Sequence, residues 1–118
     1  MSRDLLLFLE DIEKSCAKII LYTAGLTRDE VFTDEMRFDA ILRNLHIIGE
    51  AVKNLPQDWR RKHADIPWRE LAGLRDFVAH AYFALDLEIL WSAIKDEVPA
   101  LLRRVQEILE QEQETQGA

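Results

Sequence analysis

Residues 2–25 read SRDLLLFLEDIEKSCAKIILYTAG. In this stretch Leu5, Phe8, Leu9, Ile12, Cys16, Ile19 and Ile20 return at steps of three and four. That period stacks them on one face of an α-helix, whereas a half-buried strand would alternate every second residue. Ser2 stands where an N-terminal cap is wanted, and Gly25 is a natural C-terminal stop. The pattern predicts a helix from about Ser2 to Thr23, with one apolar stripe that needs partners of the same kind.

The rest of the chain supplies them. Thr27-Arg28-Asp29-Glu30 matches a capping box and predicts one short helical turn. A second long helix starts near Thr33 or Asp34 and carries Met36, Phe38, Ile41, Leu42, Leu45, Ile48 and Val52. Asn54-Leu55-Pro56 ends it, since a residue before proline is pushed out of helical geometry. The following stretch to Ile66 is polar, with one short helix around Asp58–Lys62. Pro67 suits the first position of a third main helix, capped by Asp65 and bearing Trp68, Leu71, Leu74, Phe77, Val78 and Ala81. Asp86 caps a last helix through Leu87, Ile89, Leu90, Trp91 and Ile94, which Pro99 should kink or break. Helical pattern resumes at Leu101, Leu102, Val105, Ile108 and Leu109. The expected fold is all-α, a four- to five-helix up-and-down bundle. One domain spans residues 1–110, and an acidic tail of residues 111–118, without apolar anchors, is expected to fray.

Composition agrees and narrows the classes. The 118 residues are 48% apolar and 31% charged, which excludes disorder and a membrane protein. No uncharged run approaches the roughly 18 residues of a spanning helix, and the apolar start meets Glu10 and Asp11 too soon for a signal peptide. A cytoplasmic location is expected. Fifteen basic residues against 22 acidic ones give a net charge of −7, so uniform coating by nucleic acid is excluded. The excess acid avoids one window. From Asp58 to His80 the cations Arg60, Arg61, Lys62, Arg69 and Arg75 outnumber Asp58, Asp65, Glu70 and Asp76, which leaves room for a local anion site.

Within that window, Leu74-Arg75-Asp76-Phe77-Val78-Ala79-His80-Ala81-Tyr82-Phe83 carries the chemistry. On a helix turning about 100° per residue, with Arg75 at zero, Tyr82 falls near −20°, Ala79 near 40°, Asp76 near 100° and His80 near 140°. Phe77, Ala81, Val78 and Leu74 take the opposite arc. Asp76 and His80 are four apart, close enough to hydrogen-bond and fix the imidazole tautomer. Such a set fits cleavage of an RNA backbone without a metal or other cofactor, because the substrate brings its own nucleophile, the 2′-hydroxyl. Histidine can move protons near neutral pH, and arginine can grip phosphate oxygens in a two-pronged bond. A second proton-transfer group is wanted, and a symmetric dimer would bring in a second His80. Polar residues on one helical face also describe ordinary solvated surface, and spacing alone does not choose between the two.

At these residues the chain resembles a family. Arg75-x4-His80-x-Tyr82 is similar to the signature of HEPN domains, specifically the HepT-like ribonuclease toxins of HepT–MntA systems. The resemblance extends to Ile47-Ile48-Gly49-Glu50-Ala51, to Asn54-Leu55-Pro56, to the lead-in Ile66-Pro67-Trp68 through Gly73-Leu74-Arg75-Asp76, and to Asp86, Ile89-Leu90-Trp91 and Val98-Pro99. It implies a helical bundle that forms a homodimer with the motif helices at the interface. It implies metal-independent RNA cleavage by Arg75 and His80 that leaves a 2′,3′-cyclic phosphate, with Asp76 as a supporting polar residue. It also implies a partner, an MntA-like minimal nucleotidyltransferase antitoxin, that transfers AMP from ATP onto Tyr82 and silences the toxin. The alternative is a non-catalytic substrate- or nucleotide-binding subunit of a nucleotidyltransferase, which would not need Arg75, His80 and Tyr82 together.

Other residues have plainer readings. His46 and Glu50 share the four-residue spacing of a metal pair, but with no third ligand they read as a polar helix face; the resemblance adds the expectation that Glu50 braces Arg75 across the bundle. Arg60-Arg61-Lys62-His63 suits RNA phosphates or an acidic partner as well as it suits a solvated loop. Trp68, Trp91 and the phenylalanines read as core, and Cys16 as buried and unreactive.

Overall fold

The computed structural model describes the backbone of residues 1–80 and 87–117, and the side chains of residues 1–74 and 87–115. Among these residues the regular structure is helical throughout, in the order α1 (Arg3–Thr23), α2 (Arg28–Thr33), α3 (Glu35–Asn54), α4 (Gln57–Lys62), α5 (Trp68–His80) and α6 (Leu87–Ser92). A π-helical turn (Ala93–Glu97) then leads into α7 (Val98–Gly117). The expected all-α bundle is what the chain forms.

The helix boundaries follow local chemistry. Ser2 caps α1, its hydroxyl accepting from the Leu5 N–H at 3.2 Å. Gly25 follows with φ +72°, a left-handed conformation that costs most side chains energy. Thr27 and Glu30 close a reciprocal capping box on α2, at 3.2 Å and 3.0 Å. Asp34 caps α3 by accepting from the Arg37 N–H at 3.1 Å. Leu55, extended before Pro56, ends that helix.

One apolar core joins the elements. α1 packs on α3 and α7, and α3 packs in turn on α5. Leu9, Ile12 and Ile19 of α1 meet Ile41, Leu45 and Ile48 of α3, Leu71 of α5, and Val98 and Val105 of α7 in a single buried cluster. Cys16 is fully buried there, and burial pushes its thiol up to about 12. Phe32 of α2 bridges Phe38 and Trp91 edge-on, at 5.4 Å and 5.7 Å, fastening α2 between α3 and α6. An Arg28–Glu88 ion pair crosses from α2 to α6.

One expectation, the Asp65 cap, needs correction. Pro99 sits just past an interruption of the α-helical ladder. It follows the π turn, where the Val98 N–H reaches back five residues to the Ala93 carbonyl, so the ladder has widened before the residue that cannot donate. Residues 111–117 continue α7. Their glutamates and glutamines are good helix formers, and the Met1 ammonium holds Glu112 at 3.0 Å. Asp65, finally, does not cap α5. It pairs with Arg104 of α7 at 2.7 Å, and the first turn of α5 is closed by the Leu71 N–H on the Pro67 carbonyl at 3.1 Å.

Candidate active site on helix α5

Arg75 to His80 of the polar motif lie on the last two turns of α5. Over the first turns, Trp68, Leu71 and Leu74 are buried, while Arg69, Glu70 and Gly73 are exposed. The side chains of Arg75, Asp76 and His80, and all of Tyr82 and Asp86, lie outside the described residues, as does the expected contact between Glu50 and Arg75.

The segment before α5 is held firmly. Trp68 donates its indole N–H to the His63 carbonyl at 2.9 Å, and Trp59 stacks between the His63 ring at 4.4 Å and Trp68 at 5.7 Å. Arg104 grips Asp65 through Nε at 2.7 Å and Glu107 through a second nitrogen at 2.7 Å. Its hydrogen bond holds the Asp65 carboxyl below the ordinary range, and its own guanidinium is raised by the same partner. Partial burial, then the Arg104 charge, lowers His63, so this imidazole is neutral at pH 7. The entry to the motif helix is therefore tied both to an aromatic cluster and to α7.

His46 and Glu50 lie on α3 beside Asp11 of α1, around a shallow hollow of about 180 Å³. Arg60 and Arg61 of the basic run do not stand alone. With Lys53 of α3 and Arg69 of α5 they line a cleft of about 670 Å³ between α3, α4 and the start of α5. Sequence reasoning flagged Arg60 and Arg61 but had no signal to join them to Lys53 and Arg69, which come from other helices.

Fold and surroundings define a class: small all-α bundles with a cationic cleft beside the helix that carries the Arg-x4-His motif. The comparisons with known proteins are specific. The Ribonuclease HepT-like family profile matches residues 12–108. A protein of Caldanaerobacter subterraneus subsp. tengcongensis, named as a candidate RNase, is 42% identical over 105 residues, covering 89% of this chain and 94% of that one. A probable ribonuclease HepT of Thermococcus cleftensis is 42% identical over 94 residues, covering 80% and 86%. A candidate RNase of Methanocaldococcus jannaschii is 39% identical over 107 residues, covering 91% and 88%. No solved structure gives a significant match. The chain belongs to the HepT-like ribonuclease family. No helix among the described residues is long and apolar enough to cross a membrane.

Proposed function

We propose that the chain is a metal-independent endoribonuclease in which Arg75 and His80 act on the scissile phosphate. The observation that carries this reading is the unbroken family match from residue 12 to residue 108, motif included. The imidazole of His80 takes the proton of the 2′-hydroxyl, whose oxygen attacks the adjacent phosphorus. The bond to the 5′-oxygen breaks and that oxygen takes up a proton, leaving a 2′,3′-cyclic phosphate and a 5′-hydroxyl. Arg75 holds the non-bridging oxygens as charge gathers on them, and Asp76 orients the imidazole. A second copy of the chain supplies the second proton-transfer group, so the working unit is a homodimer.

Silencing belongs to the same reading. A minimal nucleotidyltransferase transfers AMP from ATP to the Tyr82 oxygen, with pyrophosphate leaving, and the adduct competes for Arg75 by its charge and for the cleft by its bulk. The pair then forms a toxin–antitoxin system in the cytoplasm. The test is expression of wild type, His80→Ala and Tyr82→Phe, each with and without the nucleotidyltransferase. Wild type alone should arrest growth and degrade RNA, His80→Ala should do neither, and the partner should rescue wild type but not Tyr82→Phe. Full neutralisation of Tyr82→Phe would refute the modification, and equal behaviour of wild type and His80→Ala would favour a binding subunit.

A further inference from the structure

The cationic cleft ahead of the motif is not explained by packing. Lys53, Arg60, Arg61 and Arg69 line it, from three different helices, with Glu70 as the one carboxylate among the described lining residues. This concentration occurs on a chain whose net charge is −7. Arg61 has a weak, exposed partner in Asp58 at 3.2 Å. No carboxylate among the described residues pairs with Arg60 or Arg69, and the Arg60 Nε is buried without a hydrogen-bond acceptor. A buried guanidinium N–H left unpaired costs free energy, and an anionic ligand oxygen would offset it.

The cleft is also aligned with the motif. Arg69 and Gly73 are exposed on α5, and the backbone of the same helix runs on from them to His80. No heavy atom lies within 4 Å of where a Cβ on Gly73 would sit, so the surface there is open. From Arg69 to His80 the helix rises about 16 Å, or about five nucleotides at a stacked spacing of ~3.4 Å per phosphate. Trp68, the aromatic in the cleft wall, is only 7% exposed. The cleft therefore offers no open stacking face, and its cations, brought together from three helices over a floor of Ile66 and Pro67, suit a phosphate backbone held without base stacking.

We infer that this cleft, with Arg60 and Arg69 as its principal contacts, is an accessory site that holds the RNA backbone about five nucleotides from the scissile phosphate, independently of base sequence. The inference rests on the ribonuclease reading above and adds a footprint to it. Two phosphate contacts contribute about 0.7 each to the slope of log K against log salt, or roughly 25-fold in affinity at 0.1 M salt.

The test uses the full chain with His80→Ala, so that RNA survives, and a 12-nucleotide single-stranded RNA with a fluorescent end, read by anisotropy from 50 to 400 mM salt. Adding Arg60→Ala and Arg69→Ala should weaken binding about 25-fold at 0.1 M salt and flatten the slope by about 1.4. Adding Arg3→Ala and Lys18→Ala on α1, an equal loss of charge elsewhere, should leave the slope unchanged. Shortening the RNA below about five nucleotides should erase the difference made by the cleft substitutions. If wild type cleaves this RNA but the cleft substitutions change neither affinity nor slope, the accessory site is refuted while the ribonuclease stands; a cleft that docks a protein partner would give this result. If wild type neither binds nor cleaves RNA, both readings fall. Circular dichroism of each variant confirms that the bundle persists.

Discussion

Replacing Leu71 by alanine tests the packing on which the motif helix depends. Leu71 is 1% exposed and belongs to the core that joins α5 to the rest of the bundle. The substitution deletes three buried carbons, about 2.4 kcal/mol at ~0.8 kcal/mol each. A cavity term adds to this, at about 24 cal/mol per Å³ left empty. It is limited here because Leu71 already borders a hollow of about 230 Å³ whose rim includes Asp65 and Arg104. Together these give about 2.5–4 kcal/mol, a large part of the roughly 5–15 kcal/mol that holds a domain folded. Urea unfolding followed by circular dichroism is the assay. With a slope of about 1.5 kcal/mol per molar, the midpoint should fall by about 2 M. Met36→Ala, at a position 83% exposed, should stay within about 0.5 kcal/mol of wild type. A Leu71→Ala midpoint within about 0.5 M of wild type would refute the placement of α5 against the core.

Three further outcomes are expected. Gly25→Ala should cost about 1–2 kcal/mol in urea unfolding; the space is open, so the cost is that of holding alanine at φ +72°. Histidine NMR should show His63 titrating below its ordinary 6.5, and because the unfolded chain then binds more protons in that range, the His63 contribution should make the protein less stable as pH falls through about 6.5. A thiol reagent at pH 8 should leave native Cys16 unmodified and label it completely in denaturant, since burial raises it to about 12.

Features with short-range causes were legible in the sequence. Ser2, Thr27, Asp34 and Pro56 act within four residues of themselves, and the structure uses each of them at a helix end. The apolar stripe of α1 predicted Cys16 in the core for the same reason. What failed was long-range. Asp65 looked like a cap because nothing nearby competes for it; its partner Arg104 lies 39 residues away. The motif itself was visible in the sequence, but the cleft beside it needed three helices brought together in space.

The central claim is that this chain cuts RNA by proton transfer and charge stabilisation from its own side chains. The measurement that tests it most directly is end-group analysis of RNA incubated with the purified, unmodified protein in excess EDTA, alongside His80→Ala and Arg75→Ala. The account predicts fragments ending in 2′,3′-cyclic phosphate and beginning with 5′-hydroxyl, at a rate that falls at least about 100-fold in His80→Ala. Cleavage that stops in EDTA, leaves 5′-phosphate ends, or proceeds equally in the His80→Ala protein would contradict it.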